Sequence, residues 1–406
     1  MERTILHADL NNFFASVECL EHAELKDKPV AVAGDAKARH GIILAKNELA
    51  KLFGIKTAMP LWQAQKLCPD LICVPPHYDL YMKYSGLTRE ICQRYTSQVE
   101  SFGPDECWMD VSGSSALFGN GKTIADDLRK RIFHELGLTV SVGVSFNKVF
   151  AKLGSDMKKP NATTVIPKES FRDIVWPLPV DAMLYVGRSA RERFRSVGIA
   201  TIGDLAAVTP EFLRRSLGKT GTMLWRFANG LDDAPVAETA DNIPIKSIGN
   251  STTAYRNLIT EEDCRIVLYA LSEMVSHRLK SHGLLCATVQ ISIRLSNLSS
   301  FERQCRLTAP TQSALDIFDA GWQLLCQHRN DAPIRALGIR GCQLSSAFNR
   351  QLSFFDSDNH KNRALEEAMD EIRGRFGNHT IKRAVMLKDP KLTNFKPKDH
   401  SVFLQK

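Results

Sequence analysis

The first residues of the chain alternate between apolar and polar side chains and then change to a helical spacing. TILHADL, residues 4–10, predicts a strand, and NNFFASVECL, residues 11–20, predicts an amphipathic helix. Asparagines are favourable residues at the start of a helix. The pattern therefore places Asp9 at the end of a strand, immediately before a helix.

Similar changes of period follow in the next 150 or so residues. CWMDV is typical of a strand that leaves the Gly103–Pro104 turn, KTIADDLRKRIFHELG of a helix ending at Gly137, LTVSVGVS of a strand and NKVFAKLGSDM of a helix. This order of elements predicts a ferredoxin-like sheet with helices on one face. In such a sheet Asp9 and the pair Asp105–Glu106 converge on neighbouring strands.

The remaining chain divides into a helical region and a second α/β region. Residues 167–231 are helical in pattern and dense in arginine, and the polar stretch LDDAPVAETADNIP is typical of a linker. A second α/β pattern begins at Ile245. In its segment CATVQISIRLS, apolar and polar residues alternate from Val289 to Leu295, which predicts a strand with one buried face and one solvated face.

Composition narrows the class of protein. The chain has 406 residues, 44% of them hydrophobic and 24% charged, as in a globular protein of roughly two to four domains. Its ten cysteines do not show zinc-ligand spacing, and its net charge of +8 is compatible with a polyanionic partner without requiring one. We find neither a signal-peptide pattern nor the roughly 18 uncharged residues of a bilayer span, so we expect a cytoplasmic protein without membrane contact.

Three carboxylates are the candidate chemistry. Asp105 and Glu106 precede the apolar run CWMDV, and burying such a pair without a counter-charge is costly. Together with Asp9 they could hold divalent cations, and oxygen ligands favour Mg²⁺ or Mn²⁺. Two such ions are the usual arrangement for nucleotidyl transfer. The spacing fits equally well an alternative in which Asp9 caps a helix and the acidic pair is a solvated turn.

Four segments, in this order, resemble the palm and fingers motifs of the Y-family translesion DNA polymerases, specifically the DinB group: HADLNNFFASVE, AKNELAKLFGIKTAMP, SFGPDECWMDVSG and SVGVSFNKVFAKLGSDMKKPNATTVI. The resemblance extends to a helix-hairpin-helix thumb and a little finger, and so covers nearly the whole chain. It implies an α+β right hand with a ferredoxin-like palm (1–10 and 77–166), small fingers (11–76), a helical thumb (167–231), a linker (232–244), an α/β little finger (245–346) and a C-terminal tail (347–406).

The resemblance also assigns roles to individual residues. It implies that Asp9, Asp105 and Glu106 are catalytic and bind two Mg²⁺ ions, which Mn²⁺ can replace, with the backbone carbonyl of Leu10 as a further ligand. Phe14 falls at the family's steric gate, a ring that packs against the incoming sugar so that a 2′-hydroxyl would clash. Core packing is the alternative for Phe14, and it is the role we expect for Phe13.

The triphosphate contacts are less regular. The resemblance implies that Lys159 contacts the triphosphate, although a solvated surface charge is the alternative. Where many relatives have tyrosine and, three residues later, arginine, this chain has Glu48 and Lys51. We expect Glu48 to point away from the phosphates, and Lys51 to keep a positive charge there without the bidentate geometry of arginine.

QLSFFD, residues 351–356, resembles the bacterial sliding-clamp-binding motif. Gln351 would bond the rim of a pocket, and Leu352, Phe354 and Phe355 would fill an apolar groove. An ordinary buried turn is the alternative. What favours the motif is its position just beyond the little finger, in a predicted connector.

Together these features imply a template-directed, low-fidelity translesion polymerase that acts on primer–template DNA and deoxynucleoside triphosphates as a monomer, recruited by the clamp. Because the family architecture accounts for the residues of this sequence, we expect no proofreading exonuclease domain and therefore low fidelity. One alternative is a non-catalytic, clamp-bound adaptor of the same fold, which predicts missing carboxylates. The other is a nucleotide cyclase with a similar sheet, which would need neither thumb nor little finger.

Overall fold

The computed structural model describes residues 3–35, 39, 41–238, 245–329, 331–347, 360–377 and 380–393. The chain forms two compact units, one of Met1–Ala33 and Ile43–Asn242 and the other of Gly34–Ile42 and Ile243–Lys406. Within the described ranges, helices are too short or too polar to span a bilayer.

The first unit contains eight described strands and twelve described α-helices. Its strands are β1 (Ile5–Leu10), β2 (Val30–Ala33), β3 (Ile43–Lys46), β4 (Ile72–Val74), β5 (Val99–Ser101), β6 (Glu106–Asp110), β7 (Val140–Ser145) and β8 (Thr163–Ile166). Its helices are α1 (Phe13–Glu21), α2 (Glu48–Leu52), α3 (Leu61–Leu67), α4 (Tyr78–Gln93), α5 (Ser115–Phe118), α6 (Gly121–Leu136), α7 (Lys148–Met157), α8 (Phe171–Val175), α9 (Arg188–Ser196), α10 (Ile202–Ala207), α11 (Pro210–Leu217) and α12 (Lys219–Ala228).

A five-stranded sheet, in the order β5-β6-β1-β7-β8, forms the centre of this unit. β1 is antiparallel to both β6 and β7, and β7 is parallel to β8. One face of β1 carries Leu6, Ala8 and Leu10, which pack in one core with side chains of α4 and α6. The strands predicted before and after the Asp105–Glu106 pair in the sequence, β1, β6 and β7, are confirmed. The predicted helices α1 and α6, which lie between these strands in the sequence, are confirmed as well.

The opposite face of the sheet is covered by α7, so the expectation of helices on one face only was wrong. Ile5 and Trp108 on that face pack against Ala151 of α7. The approach is close because Gly143 lacks a side chain: a Cβ there would lie 1.9 Å from the carbonyl oxygen of Ala151. This contact brings α7 over the strand that carries Asp9.

Two smaller assemblies complete the first unit. The strands β2, β3 and β4 form a three-stranded sheet in the order β3-β2-β4, and with α2 and α3 they enclose a small core that includes Ile43, Ile55 and Ala64. The helices α8 to α12 pack around a separate core that includes Phe194, Ile202, Leu213 and Leu224.

The second unit is an antiparallel sheet covered by helices. Its strands are β9 (Ser247–Leu258), β10 (Leu284–Leu295), β11 (Ser300–Thr311) and β12 (Ile334–Ser346), and its helices are α13 (Glu261–Ser281), α14 (Ala314–His328), α15 (His360–Phe376) and α16 (Pro390–Thr393). The strand order is β11-β10-β12-β9. The alternation predicted for β10 is confirmed, since Val289, Ile291 and Ile293 are buried while Arg294 is exposed.

Residues 360–377 and 380–393, which the sequence grouped with a C-terminal tail, pack on this second unit. Met386 and Leu392 belong to the same core as α13 and α14. The Glu366 carboxylate on α15 accepts a hydrogen bond of 3.0 Å from the backbone N–H of Ala314 and lies 3.0 Å from Nζ of Lys280. These contacts attach the segment to the helical side of the unit.

Candidate active site

Asp9 and Glu106 lie opposite each other on two hydrogen-bonded strands. In the antiparallel pairing of β1 with β6, Asp9 is the partner of Glu106. The backbone N–H of Leu10 donates a hydrogen bond of 3.0 Å to the carbonyl oxygen of Asp105. These four residues therefore meet at one end of the strand pair, which confirms the predicted convergence of Asp9 with the Asp105–Glu106 pair.

The ammonium group of Lys152, on α7, lies between these carboxylates. Its Nζ is 3.0 Å from Oδ2 of Asp9 and 2.8 Å from Oε2 of Glu106, and 3.3 Å from Oδ2 of Asp156 one turn along the helix. The Lys152 side chain is only 12% exposed, so water screens these ion pairs weakly. Lys152 thus supplies the positive charge that the buried acidic pair requires.

Lys159, just after α7, lies at the same carboxylates. Its Nζ is 2.8 Å from Oδ2 of Asp9 and 2.9 Å from Oδ1 of Asp156. Burial acts to lower the pKa of Lys159, but the Asp9 and Asp156 carboxylates together outweigh it and the pKa is raised. Lys159 is therefore a charged group within the acidic cluster, and its contact with a triphosphate stays a prediction.

The environments of the two adjacent carboxyl groups push their pKa values apart. Burial, followed by the negative charges of Glu106 and Asp9, raises the pKa of Asp105 from 3.8 to about 7. Burial also acts to raise the pKa of Glu106, but its contacts with His7 and Lys152 lower that pKa to about 2. Glu106 is therefore ionised at neutral pH. A divalent cation beside Asp105 would favour the ionised form of the Asp105 carboxyl as well.

A buried histidine lies beside Glu106 on the same sheet face. Nδ1 of His7 is 2.9 Å from Oγ of Ser155, and its Nε2 is 3.4 Å from Oε2 of Glu106. Burial lowers the pKa of His7, so the imidazole is neutral at pH 7. Sequence reasoning missed both His7 and Lys152. The available signal for His7 was the alternation of β1, which places residues two apart on one face.

These side chains fit a divalent cation. Ligand atoms of His7, Asp9 and Glu106 lie within 4.8 Å of one another, and among the described residues they form the group close enough to hold a metal ion together. Asp105 is outside that group, although its backbone adjoins Leu10. Nε2 of His7 is buried without a hydrogen-bond partner, and carboxylate oxygens are ligands that Mg²⁺ and Mn²⁺ prefer. The expectation of oxygen ligands alone did not include this imidazole.

Phe14 lies on α1, one helical turn beyond the strand end. Its ring stacks on that of Tyr81, with centroids 4.2 Å apart and planes inclined by 11°, and it packs at the edge of the core formed by α4 and α6. Phe13 is buried within that core, which confirms its packing role. The contact of Phe14 with a sugar stays a prediction.

The side chains at the two positions that differ from the family pattern contact each other. The Glu48 carboxylate accepts a hydrogen bond of 2.7 Å from Nδ2 of Asn12, just before α1, and lies 3.5 Å from Nζ of Lys51. Lys51 is exposed and partly balances the charge of Glu48. The triphosphate contact of Lys51 stays a prediction.

Comparison with known proteins identifies the family. Residues 8–156 match the "impB/mucB/samB family" model, 245–354 match its C-terminal domain, and 185–232 match "DNA polymerase-iota, thumb domain". DNA polymerase IV of Acetivibrio thermocellus is 51% identical over 393 residues, which cover 96% of this chain and 98% of that protein. The chain belongs to the DinB group of the Y-family DNA polymerases. DNA polymerase IV 2 of Bacillus subtilis is 37% identical over 393 residues, 95% of each chain.

The fold comparison agrees with this Y-family membership. A solved Y-family DNA polymerase chimera superimposes with a TM-score of 0.75 at 22% identity, covering 84% of this chain and 98% of that chain. The DinB-group polymerases act on DNA and nucleotides and depend on divalent metal. The predicted clamp-binding residues of this Y-family chain, Gln351, Leu352, Phe354 and Phe355, lie outside the described residues, and that assignment stays a prediction.

Proposed function

We propose that the chain is a template-directed DNA polymerase performing translesion synthesis, with Asp9, Asp105 and Glu106 as its catalytic centre. One observation carries this proposal: Asp9 and Glu106 are register partners on adjacent strands, and Asp105 adjoins Leu10 there. Membership of a polymerase family whose members depend on divalent metal gives this acidic cluster its interpretation.

The three carboxylates and the backbone carbonyl of Leu10 would hold two Mg²⁺ ions, with Mn²⁺ able to replace them. When bound, these ions activate the primer 3′-hydroxyl and stabilise charge on the phosphate oxygens. Lys152 and Lys159 already place two ammonium groups within 3.0 Å of Asp9. A nucleotide's triphosphate would attract Lys159, and Lys152 on α7 would balance charge beneath the carboxylates.

Phe14 would select the sugar of the incoming nucleotide. Its ring is only partly buried, one turn from the strand end that carries Asp9, and Tyr81 supports it from behind. A ring in this position would contact the face of a deoxyribose and would clash with a 2′-hydroxyl. Lys51, on α2, would add positive charge near the phosphates.

The DNA grip would come from the thumb (167–231) and the little finger (245–346). The proposed division assigns residues 1–10 and 77–166 to the palm, 11–76 to the fingers and 232–244 to a linker. In the second unit the solvated sheet face carries Arg294, Arg306 and Arg340. Arg294 and the β10 residues that pair with Arg306 and Arg340 alternate along β10 with its buried apolar positions. Arginines on such a face suit phosphate contacts. The thumb adds exposed arginines on α9.

We assign clamp recruitment to Gln351, Leu352, Phe354 and Phe355 in the proposed tail (347–406). The residues on either side belong to the second unit: β12 ends at Ser346 and α15 begins at His360. The polymerase would act as a monomer tethered by the clamp, in the cytoplasm, where bacterial DNA lies. Tethering raises local concentration without changing chemistry.

Primer extension with Mg²⁺ and deoxynucleotides tests the catalytic assignment. Glu106→Gln should reduce extension by more than the roughly 100-fold that loss of an outer-sphere partner costs, with DNA binding retained. Asp110→Asn is the matched control, because Asp110 lies at the other end of the same strand and should leave extension intact. Wild-type extension by Glu106→Gln would contradict the assignment, and an assay for cyclic nucleotide alongside would detect a cyclase instead.

A further inference from the structure

The ring that supports Phe14 is itself anchored at its other end. Tyr81 is fully buried on α4, and its hydroxyl donates a short hydrogen bond to Oε1 of Glu18. Burial and this hydrogen bond raise the pKa of Tyr81, so the hydroxyl keeps its proton and remains the donor. Glu18 is four residues after Phe14 on α1, and residues with that spacing share one helix face.

The Glu18 carboxylate is completely buried, which is unusual for an acidic side chain. Its second partner is His77, at the start of α4, whose Nδ1 lies 2.9 Å from Oε1 and 3.1 Å from Oε2. Burying a carboxylate is costly unless hydrogen bonds compensate it. Glu18 is thus fixed by two groups of α4, and either partner would lose a bond if the carboxylate moved.

We propose that Glu18 is a specificity-determining residue for sugar selection: through the Tyr81 hydroxyl it holds the ring stack that keeps Phe14 in place against a 2′-hydroxyl. The tyrosine ring is rigid, so anchoring its hydroxyl fixes its plane, and a stack of 4.2 Å and 11° transmits that plane to Phe14. Tyr78 packs edge-on against both rings, at 6.0 Å from Phe14 and 5.9 Å from Tyr81. Phe14 therefore cannot retreat without disturbing the Tyr81–Glu18 bond.

This inference rests on the proposed role of Phe14 as the sugar-contacting ring. A steric barrier distinguishes a hydroxyl from a hydrogen only if the ring does not move, because a shift of the ring by about 1 Å would make room for the extra oxygen. A misplacement of about 1 Å in an active site already changes rates on the order of 100-fold. Glu18 does not touch the nucleotide in this proposal. It is a positioning residue that acts through Tyr81.

The chain contains a matched control pair on the same two helices. One turn further along both, the Tyr84 hydroxyl donates a hydrogen bond of 2.9 Å to Oε1 of Glu21. This second pair also joins α4 to α1, but its hydrogen bond is exposed. The Tyr84 ring is half-buried at the edge of the same core and is not stacked on Phe14. Tyr84→Phe therefore removes an equivalent helix-to-helix bond without touching the support of the gate ring.

The experiment measures the ratio of kcat/KM for a deoxynucleotide over its ribonucleotide in primer extension. Tyr81→Phe removes only the hydroxyl and should lower this ratio by about tenfold, the scale of one hydrogen bond to a charged group. Glu18→Gln should lower it in the same direction. The double variant should have a ratio no lower than that of the more affected single variant, because both changes break the same hydrogen bond. Tyr84→Phe should leave the ratio within about twofold of wild type, the usual size of effect when an exposed contact is lost.

Two outcomes separate this inference from its premise. A ratio unchanged in Tyr81→Phe, while Phe14→Ala lowers it, would overturn the role of Glu18 and leave the gate role of Phe14 standing. A ratio unchanged in Phe14→Ala would overturn both. If the role of Glu18 is purely structural, Glu18→Gln would lower Tm and would lower kcat/KM for both nucleotides by the same factor. The ratio of the two kcat/KM values would then stay constant, and that result also overturns the proposal. Tyr81→Phe keeps the test decisive if Glu18→Gln does not fold.

Discussion

Nζ of Lys152 lies 2.8 Å from Oε2 of Glu106, in the position of a counter-cation for the acidic cluster. The same ammonium contacts Asp9 and Asp156. Burial acts to lower the pKa of Lys152, but these carboxylates outweigh it and raise the pKa, so Lys152 stays charged. The buried carboxylates are therefore stabilised by a charge that α7 carries over the sheet.

Replacing Lys152 with Met should destabilise the metal-free protein and make it more responsive to metal. Removing one partner of a buried ion pair typically costs about 3 kcal/mol because the other charge is left uncompensated. Added Mg²⁺ or Mn²⁺ would then relieve the repulsion. We expect Lys152→Met to melt at a lower temperature than wild type in chelator, and to show the larger rise in Tm on metal addition.

Lys148→Met is the control for this prediction. Lys148 lies one turn earlier on α7 and pairs with Glu100 at 2.6 Å, away from Asp9 and Glu106. Its loss should lower Tm in chelator, but metal addition should then raise Tm no more than in wild type. If the two variants respond equally to metal, Lys152 is a general stabilising contact and not a counter-cation of the metal site.

Asp105 should make the stability of the metal-free protein fall between pH 5 and pH 8. Its pKa is raised from 3.8 to about 7 in the folded protein. Between these two pH values the folded state keeps a proton that the unfolded state has lost, so the free energy of unfolding falls as the pH rises through about 7. Glu106 has a pKa lowered from 4.5 to about 2, so it stabilises the folded protein above pH 4.5. That contribution is lost only as the pH falls toward 2. Its effect is therefore constant in the tested window.

The measurement is Tm against pH in chelator for wild type and Asp105→Asn. The variant cannot ionise at that position, so its Tm should exceed that of wild type by several degrees at pH 8 and by less at pH 5, since about 1 kcal/mol moves the Tm of a 150–250-residue domain by roughly 2–4 °C. Parallel curves for the two proteins would show that Asp105 does not titrate in this window.

The fold was largely predictable because its signals are local. The alternation of β10 and the helical spacing of α1 and α6 correctly predicted these elements, since burial of one face imposes that period. The pattern of β1 also predicted a strand correctly, although both faces of β1 are buried. The position of α7 was not predictable in the same way. Its contact with the second face of the sheet depends on Gly143, where the absence of a Cβ permits close approach, and a single glycine in a strand does not specify its partner.

The site was predictable in part for the same reason. Asp9 and the Asp105–Glu106 pair lie at the ends of recognisable strands, so their convergence followed from strand pairing. Lys152 lies in the middle of a helix whose orientation over the sheet is a tertiary property. The sequence required a positive charge near the pair, but it did not indicate that Lys152 rather than bound metal would lie there.

Charge reversal on the solvated sheet face of the second unit should weaken DNA binding for all sequences alike. Arg294 is exposed on β10, and phosphate contacts release counterions without reading bases. We expect Arg294→Glu to lower affinity about equally for several templates and to reduce the slope of log affinity against log salt by about 1. Fluorescence anisotropy titrations at several salt concentrations measure both quantities.

Arg375→Glu provides a control with the same change in net charge. Arg375 lies on α15, which packs on the helical side of the unit, and pairs with Glu371 at 2.5 Å. Its reversal should leave DNA affinity nearly unchanged. Equal losses in both variants would indicate a general effect of net charge, and a loss confined to particular template sequences would indicate base readout by Arg294.

Changing Gln351, Leu352 and Phe355 together to alanine should remove clamp-stimulated synthesis and spare basal activity. These residues follow β12 and lie outside the residues assigned to catalysis. A leucine and two phenylalanines so close together would be an aggregation liability on a surface unless a partner covers them. Because a tether raises local concentration and leaves the chemistry unchanged, extension without clamp should match wild type, and extension with clamp should fall to that same level.

The competing explanation is that these side chains pack against the second unit, whose core already includes Met386 and Leu392 from beyond the motif. In that case the triple change would create a cavity, and loss of such buried groups costs roughly 2–5 kcal/mol each. Thermal melting separates the two explanations. An unchanged Tm with clamp stimulation lost supports docking, whereas a lowered Tm with stimulation retained would show that the motif belongs to the core of the protein.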